Sequence, residues 1–233
     1  MKNYFILLIA AASLVISGCQ GKVTKSDLKT QKDKVSYSIG LDIGKNMKTQ
    51  SIDIDPKAFL QGIKDGMSDS SVAHLLTDVE IQQVMMQFQK EMIAKQTAKL
   101  KATGEKNKID GEKFLAANKN KPGVITLASG LQYKVIKSGS GKTPKASDKV
   151  TANYKGSLLD GTEFDNSYKR GEPATFPVSN IIKGWTEALL LMKEGDVWEV
   201  YLPANLAYGE QGAGQQIGPN AVLVFQIELL KVN

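Results

Sequence analysis

One cysteine and one histidine are all that 233 residues provide. Cys19 alone cannot form an intrachain disulfide. His74 lies between two helical segments, so the C-terminal half has neither residue. Ser–His or Cys–His nucleophilic catalysis cannot be assembled there, nor can a histidine- or cysteine-ligated metal centre. No cofactor is expected. Aromatic residues make up only 7% of the chain, yet the C-terminal half carries an ordered set of them: Tyr154, Phe164, Phe176, Trp185, Tyr208 and Phe225. A phosphate loop is absent too. Residues 138–143 read SGSGKT, but a Walker A loop needs a glycine five residues before the Gly-Lys pair, and Ile136 stands there.

Long apolar runs are equally scarce. The longest follows Lys2, from Tyr4 to Ile16, and falls short of the ~20 residues that span a bilayer as a helix. A basic residue, a short apolar run and then small residues make a signal-peptide pattern over residues 1–18. The quartet Ile16-Ser17-Gly18-Cys19 resembles a bacterial lipobox. The resemblance implies that the mature chain begins at Cys19 with lipid on its thiol, and two or three acyl chains anchor a protein stably at ~0.8 kcal/mol per buried methylene. Gln20 follows, where many such lipoproteins retained at the inner membrane have Asp. The expected location is therefore the outer membrane.

The formal charge is +6. Between Cys19 and Gly123 there are 18 Lys and 13 acidic residues, whereas from Val124 onward 11 basic residues balance 11 acidic ones. A binder of single-stranded nucleic acid places its positive charge around its aromatics. Here the two are separated, so no nucleic-acid partner is expected and the lysines read as a solvated helical face.

A polar tether, 19–32, precedes helical periodicity at positions 35, 39, 43 and 47. A second helix starts at Pro56 or Lys57, with Phe59, Leu60 and Ile63 apolar. Thr77-Asp78-Val79-Glu80 reads as a capping box. It opens a helical run to about Asn118, with Ile81, Val84, Met85, Phe88 and Met92 at helical spacing and a polar second half read as standing in water. Gly104 and Gly111 weaken this run locally. The helical half, 33–76, together with a connecting helix over 77–120, has too few residues to enclose its own Met-rich face, and pairing with a second copy would complete it.

A second domain is expected over 121–233, and from Val124 the period shifts toward two. Strands are expected at Gln132–Ile136, Lys149–Tyr154, Val197–Leu202 and Ala221–Lys231, with a hairpin turn at 159–162 and one helix over Trp185–Met192. The fold class is α+β: an all-helical N-terminal domain, a long stalk helix and an antiparallel sheet wrapped on one short helix. Asp160, Glu163 and Asp165 lie close in sequence, where tight-turn and sheet-edge roles outweigh a paired-carboxylate site. What the aromatic set can do without proton transfer is grip an apolar ring and exclude water.

Residues Gly123–Asn233 resemble the FKBP family of peptidyl-prolyl cis-trans isomerases. The segments YKGSLLDGTEFDNS, IIKGWTEALLLMKEGDVWEVYLPANLAYG and IGPNAVLVFQIELL carry the match, in order and spacing. The resemblance implies Trp185 as the pocket floor and Tyr154, Phe176, Ile181 and Phe225 as its walls. It implies Phe164 and Asp165 beside the substrate amide, and the Ile182 N–H and the Tyr208 hydroxyl on peptide carbonyls. Ile217, in a loop that departs from many members at Ala213 and Gln216, would keep an apolar contact. Asp165, Tyr208 and Phe164 are thus the catalytic candidates.

The N-terminal half, with KVSYSIGLDIGKNMK, the long helix and NKNKPGV, is similar to the macrophage infectivity potentiator group of bacterial FKBPs. That likeness implies a homodimer joined through the N-terminal helices and substrates that are Pro-containing unfolded or exported polypeptides. It also implies macrolide sensitivity and a link to virulence. A second reading uses the same pocket as a chaperone or virulence-associated binding protein, without essential turnover.

Overall fold

A computed structural model describes residues 23–68 and 74–233. The signal pattern and Cys19 lie outside the described residues. The chain divides into two compact units between Leu76 and Thr77.

The first unit contains helices α1 (Gln31–Thr49) and α2 (Pro56–Gly66). Thr30 caps α1 by accepting from the Asp33 N–H at 3.1 Å, while the Asp33 carboxylate accepts from the Thr30 N–H at 2.7 Å. Asp55 caps α2 ahead of Pro56, whose missing N–H costs nothing at that position. Neither helix buries a residue. Val35, Tyr37, Ile39 and Leu41 are all exposed on α1.

The second unit opens with α3 (Asp78–Asn118), a continuous helix of 41 residues, or ~60 Å at 1.5 Å per residue. The capping box forms: Thr77 N–H donates to Glu80 Oε2 at 2.8 Å and Thr77 Oγ1 accepts from the Glu80 N–H at 3.3 Å. Among the described residues no helix is long and apolar enough to cross a membrane.

Seven strands follow, all paired antiparallel: β1 (Val124–Thr126), β2 (Gln132–Lys137), β3 (Lys149–Leu158), β4 (Glu163–Asn166), β5 (Ala174–Pro177), β6 (Val197–Leu202) and β7 (Leu223–Val232). Their order is β1-β2-β6-β7-β3-β4, with β5 paired to β3. Two short helices interrupt them, α4 (Ser167–Arg170) and α5 (Lys183–Leu189). The sheet exceeds the sequence reading by β1, β4 and β5. Each is three or four residues long, too short for an alternating pattern to register. Helix α5 is shorter than the expected 185–192 span, because Leu190 closes it and the chain turns through Leu191 and Met192.

Strand β7 alternates cleanly, with Leu223, Phe225, Ile227 and Leu229 buried. This face meets Trp185, Ala188 and Leu189 of α5, together with Val150, Ala152, Val200 and Leu202. Burying each Leu-sized side chain contributes ~1.5–3 kcal/mol.

Strand β6 is buried on both faces at its C-terminal end, where α3 covers Tyr201. Tyr201 points away from α5 and meets Phe114 of α3, ring centroids 5.8 Å apart. The polar second half of α3 is therefore not wholly in water. Gly104, Gly111 and Asn118 are buried at seven-residue intervals. A Cβ on Gly111 would come within 2.6 Å of Val222 Cγ2, and one on Gly104 within 3.0 Å of Pro219 Cβ. The glycines that weaken the helix in isolation are what let it lie against the domain. Asn118 Nδ2 donates to Gln132 Oε1 at 3.0 Å, and Gln132 Nε2 donates to the Leu115 carbonyl at 2.9 Å, tying the end of α3 to β2.

Candidate active site

The aromatic residues converge on one cavity of about 480 Å³. Trp185 enters from the first turn of α5 and is only 5% exposed. Three rings meet its indole edge-to-face. Tyr154 of β3 lies at 5.1 Å and 90°, Phe176 of β5 at 5.3 Å and 69°, and Phe225 of β7 at 5.2 Å and 88°. Phe164 of β4 stands against Phe225 at 5.6 Å and 84°. Perpendicular rings put positive edges on negative faces, and this geometry fixes each plane. Gly156 on β3 makes room for two of them, since a Cβ there would lie 2.7 Å from both Phe164 and Phe225.

Polar groups gather at one side. The Tyr154 hydroxyl donates to Asp165 Oδ2 at 2.7 Å, and Arg170 Nη2 donates to the same hydroxyl at 2.9 Å. Arg170 Nη1 forms an ion pair with Asp165 Oδ1, and the guanidinium carbon lies 5.3 Å from the Tyr154 ring centroid. Burial, and then donation to Asp165, hold the Tyr154 hydroxyl above the ordinary tyrosine range, partly offset by Arg170. Beneath, Ser167 Oγ accepts from the Tyr154 N–H at 2.8 Å, fixing β3 where α4 begins.

Ile182 is the N-cap of α5 in extended conformation (φ −60°, ψ 143°). Its carbonyl accepts from the Trp185 and Thr186 N–H groups at 3.0 and 3.2 Å. Among the described residues its own N–H has no acceptor. Tyr208, 41% exposed, stands at the cavity rim where β6 gives way to short 3₁₀ turns.

Nine of the ten candidate residues read from sequence line this cavity: Tyr154, Phe164, Asp165, Phe176, Ile181, Ile182, Trp185, Tyr208 and Phe225. Ile217 does not. It is 8% exposed, belongs to the core, and exchanges both backbone hydrogen bonds with Ala213, so it shapes the loop from within. Two residues escaped the sequence reading. Asn180 also lines the cavity, and Arg170 holds the Asp165–Tyr154 pair.

The SGSGKT segment is turned to other ends. Gly139 N–H donates to Asp196 Oδ1 at 2.6 Å, and Gly141 N–H to the Glu194 carbonyl at 3.1 Å. Amides that a phosphate would need are already satisfied by acceptors.

An antiparallel sheet on one helix, holding an aromatic cavity with an acid and two hydroxyls at its rim, has the form of a receptor for an apolar ring flanked by polar groups. Comparison with known proteins is specific. Residues 140–230 match the family described as FKBP-type peptidyl-prolyl cis-trans isomerase, and residues 32–135 match the domain amino-terminal to it. The chain is 48% identical over 227 residues to the Outer membrane protein MIP of Legionella longbeachae, covering 97% of each. It is 50% identical over 205 residues to the Peptidyl-prolyl cis-trans isomerase Mip of Coxiella burnetii, covering 88% of each. The crystal structure of FkpA from Escherichia coli superimposes with a TM-score of 0.68 at 36% identity, covering 88% of this chain and 98% of that one. This chain belongs to the FKBP-type peptidyl-prolyl cis-trans isomerases.

Proposed function

We propose that the chain isomerises X–Pro bonds of exported polypeptides at the outer membrane, held there by lipid on Cys19, and that it works as a homodimer. The observation that carries the site assignment is the perpendicular aromatic box around Trp185 with a polar rim on one side.

Rotation about an amide must break its resonance, at a barrier of ~18–20 kcal/mol. Water stabilises the planar, polar amide more than the twisted one, so removing water lowers the barrier without proton transfer. The proline ring would sit on Trp185 between Tyr154, Phe176, Ile181 and Phe225. Phe164 and Asp165 would face the carbonyl that swings. The Ile182 N–H and the Tyr208 hydroxyl would hold the carbonyls that do not move. Every tenfold acceleration needs only ~1.4 kcal/mol of preference for the twisted amide. A macrolide whose ring mimics the prolyl segment would compete for the same box.

The name of the Legionella longbeachae relative supports the outer-membrane reading. The exposed apolar residues of α1 and of the first half of α3, Ile81, Val84 and Met85 among them, support the dimer. Protease-coupled isomerisation of a Leu-Pro peptide tests the activity and the site together. Turnover should be abolished by rapamycin and sharply reduced by Asp165→Leu with unchanged circular dichroism. A variant that turns over at the wild-type rate removes Asp165 from the mechanism. Palmitate labelling in cells, lost in Cys19→Ser, tests the anchor. Sedimentation of the soluble chain starting after Cys19 tests the dimer, which a monomer at micromolar concentration would rule out.

A further inference from the structure

Helix α3 does more than cover the back of the sheet, because it reaches the segment that closes the Tyr208 loop. Asn107 Nδ2 donates to the Pro219 carbonyl at 2.9 Å, across 112 residues of sequence. The N–H of the same peptide unit, that of Asn220, donates to the Gly209 carbonyl at 2.8 Å. Gly209 is the residue after Tyr208. One peptide plane is thus held from both sides, its oxygen by the helix and its hydrogen by the loop.

The peptide is planar and trans, so the direction of its C=O fixes that of its N–H. Hydrogen bonds in such a chain also polarise one another. Contact leaves little slack around the plane. Cβ atoms built on Gly218 and Gly104 would lie 3.1 Å from Asn107 Nδ2 and 3.0 Å from Pro219 Cβ. Asn220 itself is held at φ +56°, a left-handed conformation that asparagine tolerates better than most residues. Tyr208, by contrast, has a half-free ring at the cavity rim, and its position depends on the backbone beneath it.

We propose that Asn107 is a positioning residue of the isomerase, acting through the Pro219–Asn220 peptide and Gly209 to hold the Tyr208 hydroxyl where the substrate carbonyl arrives. The connecting helix is then part of the enzyme's working parts. This rests on the role given to Tyr208 above.

The test is a double-mutant cycle in the full-length soluble protein with a Leu-Pro peptide, reading kcat and KM separately and the melting temperature of each variant. Asn107→Ala should lower kcat/KM about three- to tenfold, and it should add nothing when Tyr208 is already Phe. Asn107→Asp keeps the size but presents an acceptor to the Pro219 carbonyl, so it should behave like Asn107→Ala if the latter folds poorly. Lys108→Ala, on the exposed side of the helix, should leave both constants unchanged. Equal losses from Asn107→Ala in both backgrounds would indicate a general structural role and overturn the proposal. So would wild-type kinetics in Asn107→Ala and Asn107→Asp beside a defective Tyr208→Phe. Wild-type kinetics in Tyr208→Phe would overturn the role of Tyr208, and this inference with it.

Discussion

Arg170 reaches across from α4 to donate to the Tyr154 hydroxyl at 2.9 Å while its other nitrogen pairs with Asp165. The acid at the cavity rim is therefore held by two donors from different elements, and neither can move without releasing it. Arg170→Ala should leave the Asp165 carboxylate with one donor and freer rotamers. We expect kcat/KM to fall about fivefold to tenfold, in line with the loss of one charge-assisted hydrogen bond. Tyr154→Phe should cost a similar factor while keeping the ring edge-to-face with Trp185. Steady-state kinetics beside near-ultraviolet circular dichroism separate these effects from loss of packing.

Among the described residues the cavity lining holds no histidine, cysteine or lysine, and Tyr154 is held above its ordinary range by burial and by Asp165. Activity should be flat between about pH 6 and about pH 9, because twisting the amide transfers no proton. A bell-shaped profile within that window, measured with a pH-independent protease, would require an acid–base residue that this site does not contain.

Acid should destabilise the sheet domain through Glu194. Its carboxylate accepts from the Val232 N–H at 2.6 Å, and this bond, followed by one from the Lys142 N–H, lowers its pKa below the ordinary 4.5. A depressed acid contributes stability above its unfolded value that disappears as pH falls through the folded one. The melting temperature should therefore hold above pH 4.5 and decline below it. Glu194→Gln, which can still accept from Val232, should shallow that decline. Equal slopes in the two proteins would assign the acid sensitivity to other carboxylates.

Gly111→Leu should destabilise the second unit by overpacking. The first added carbon already lies 2.6 Å from Val222 Cγ2, and relieving such a contact costs ~1–3 kcal/mol. Thermal unfolding should report the loss, even though leucine favours an isolated helix over glycine.

Much of this molecule was legible from its residues because the informative ones are large and ordered. Trp185 and the rings around it announce a cavity, and Thr77 with Glu80 announces the start of α3. Arg170 was not legible. It meets Asp165 five residues away only because Asn166 caps a single helical turn between them, a local bend with no periodic signature. The seat of α3 was hidden for a different reason. Gly104, Asn107, Gly111 and Asn118 are small or polar, so a hydrophobic pattern passes over them, yet close backbone approach and paired amides seat them against the domain. Ile217 misled in the opposite sense, since an apolar residue in a loop near a site can face inward to the core.

The seven-residue spacing of Gly104, Gly111 and Asn118 has a consequence for how such a chain can change length. Inserting one residue between Gly104 and Gly111 would rotate everything on one side by ~100° and advance it by ~1.5 Å, taking one glycine off the domain. Asn107 or Asn118 would lose its partner in the same step. The stretch from Asp78 to Ala102 has no such register with the sheet domain and could gain or lose residues in whole turns. Helix α3 is in this sense a ruler clamped at one end, adjustable only along its free part.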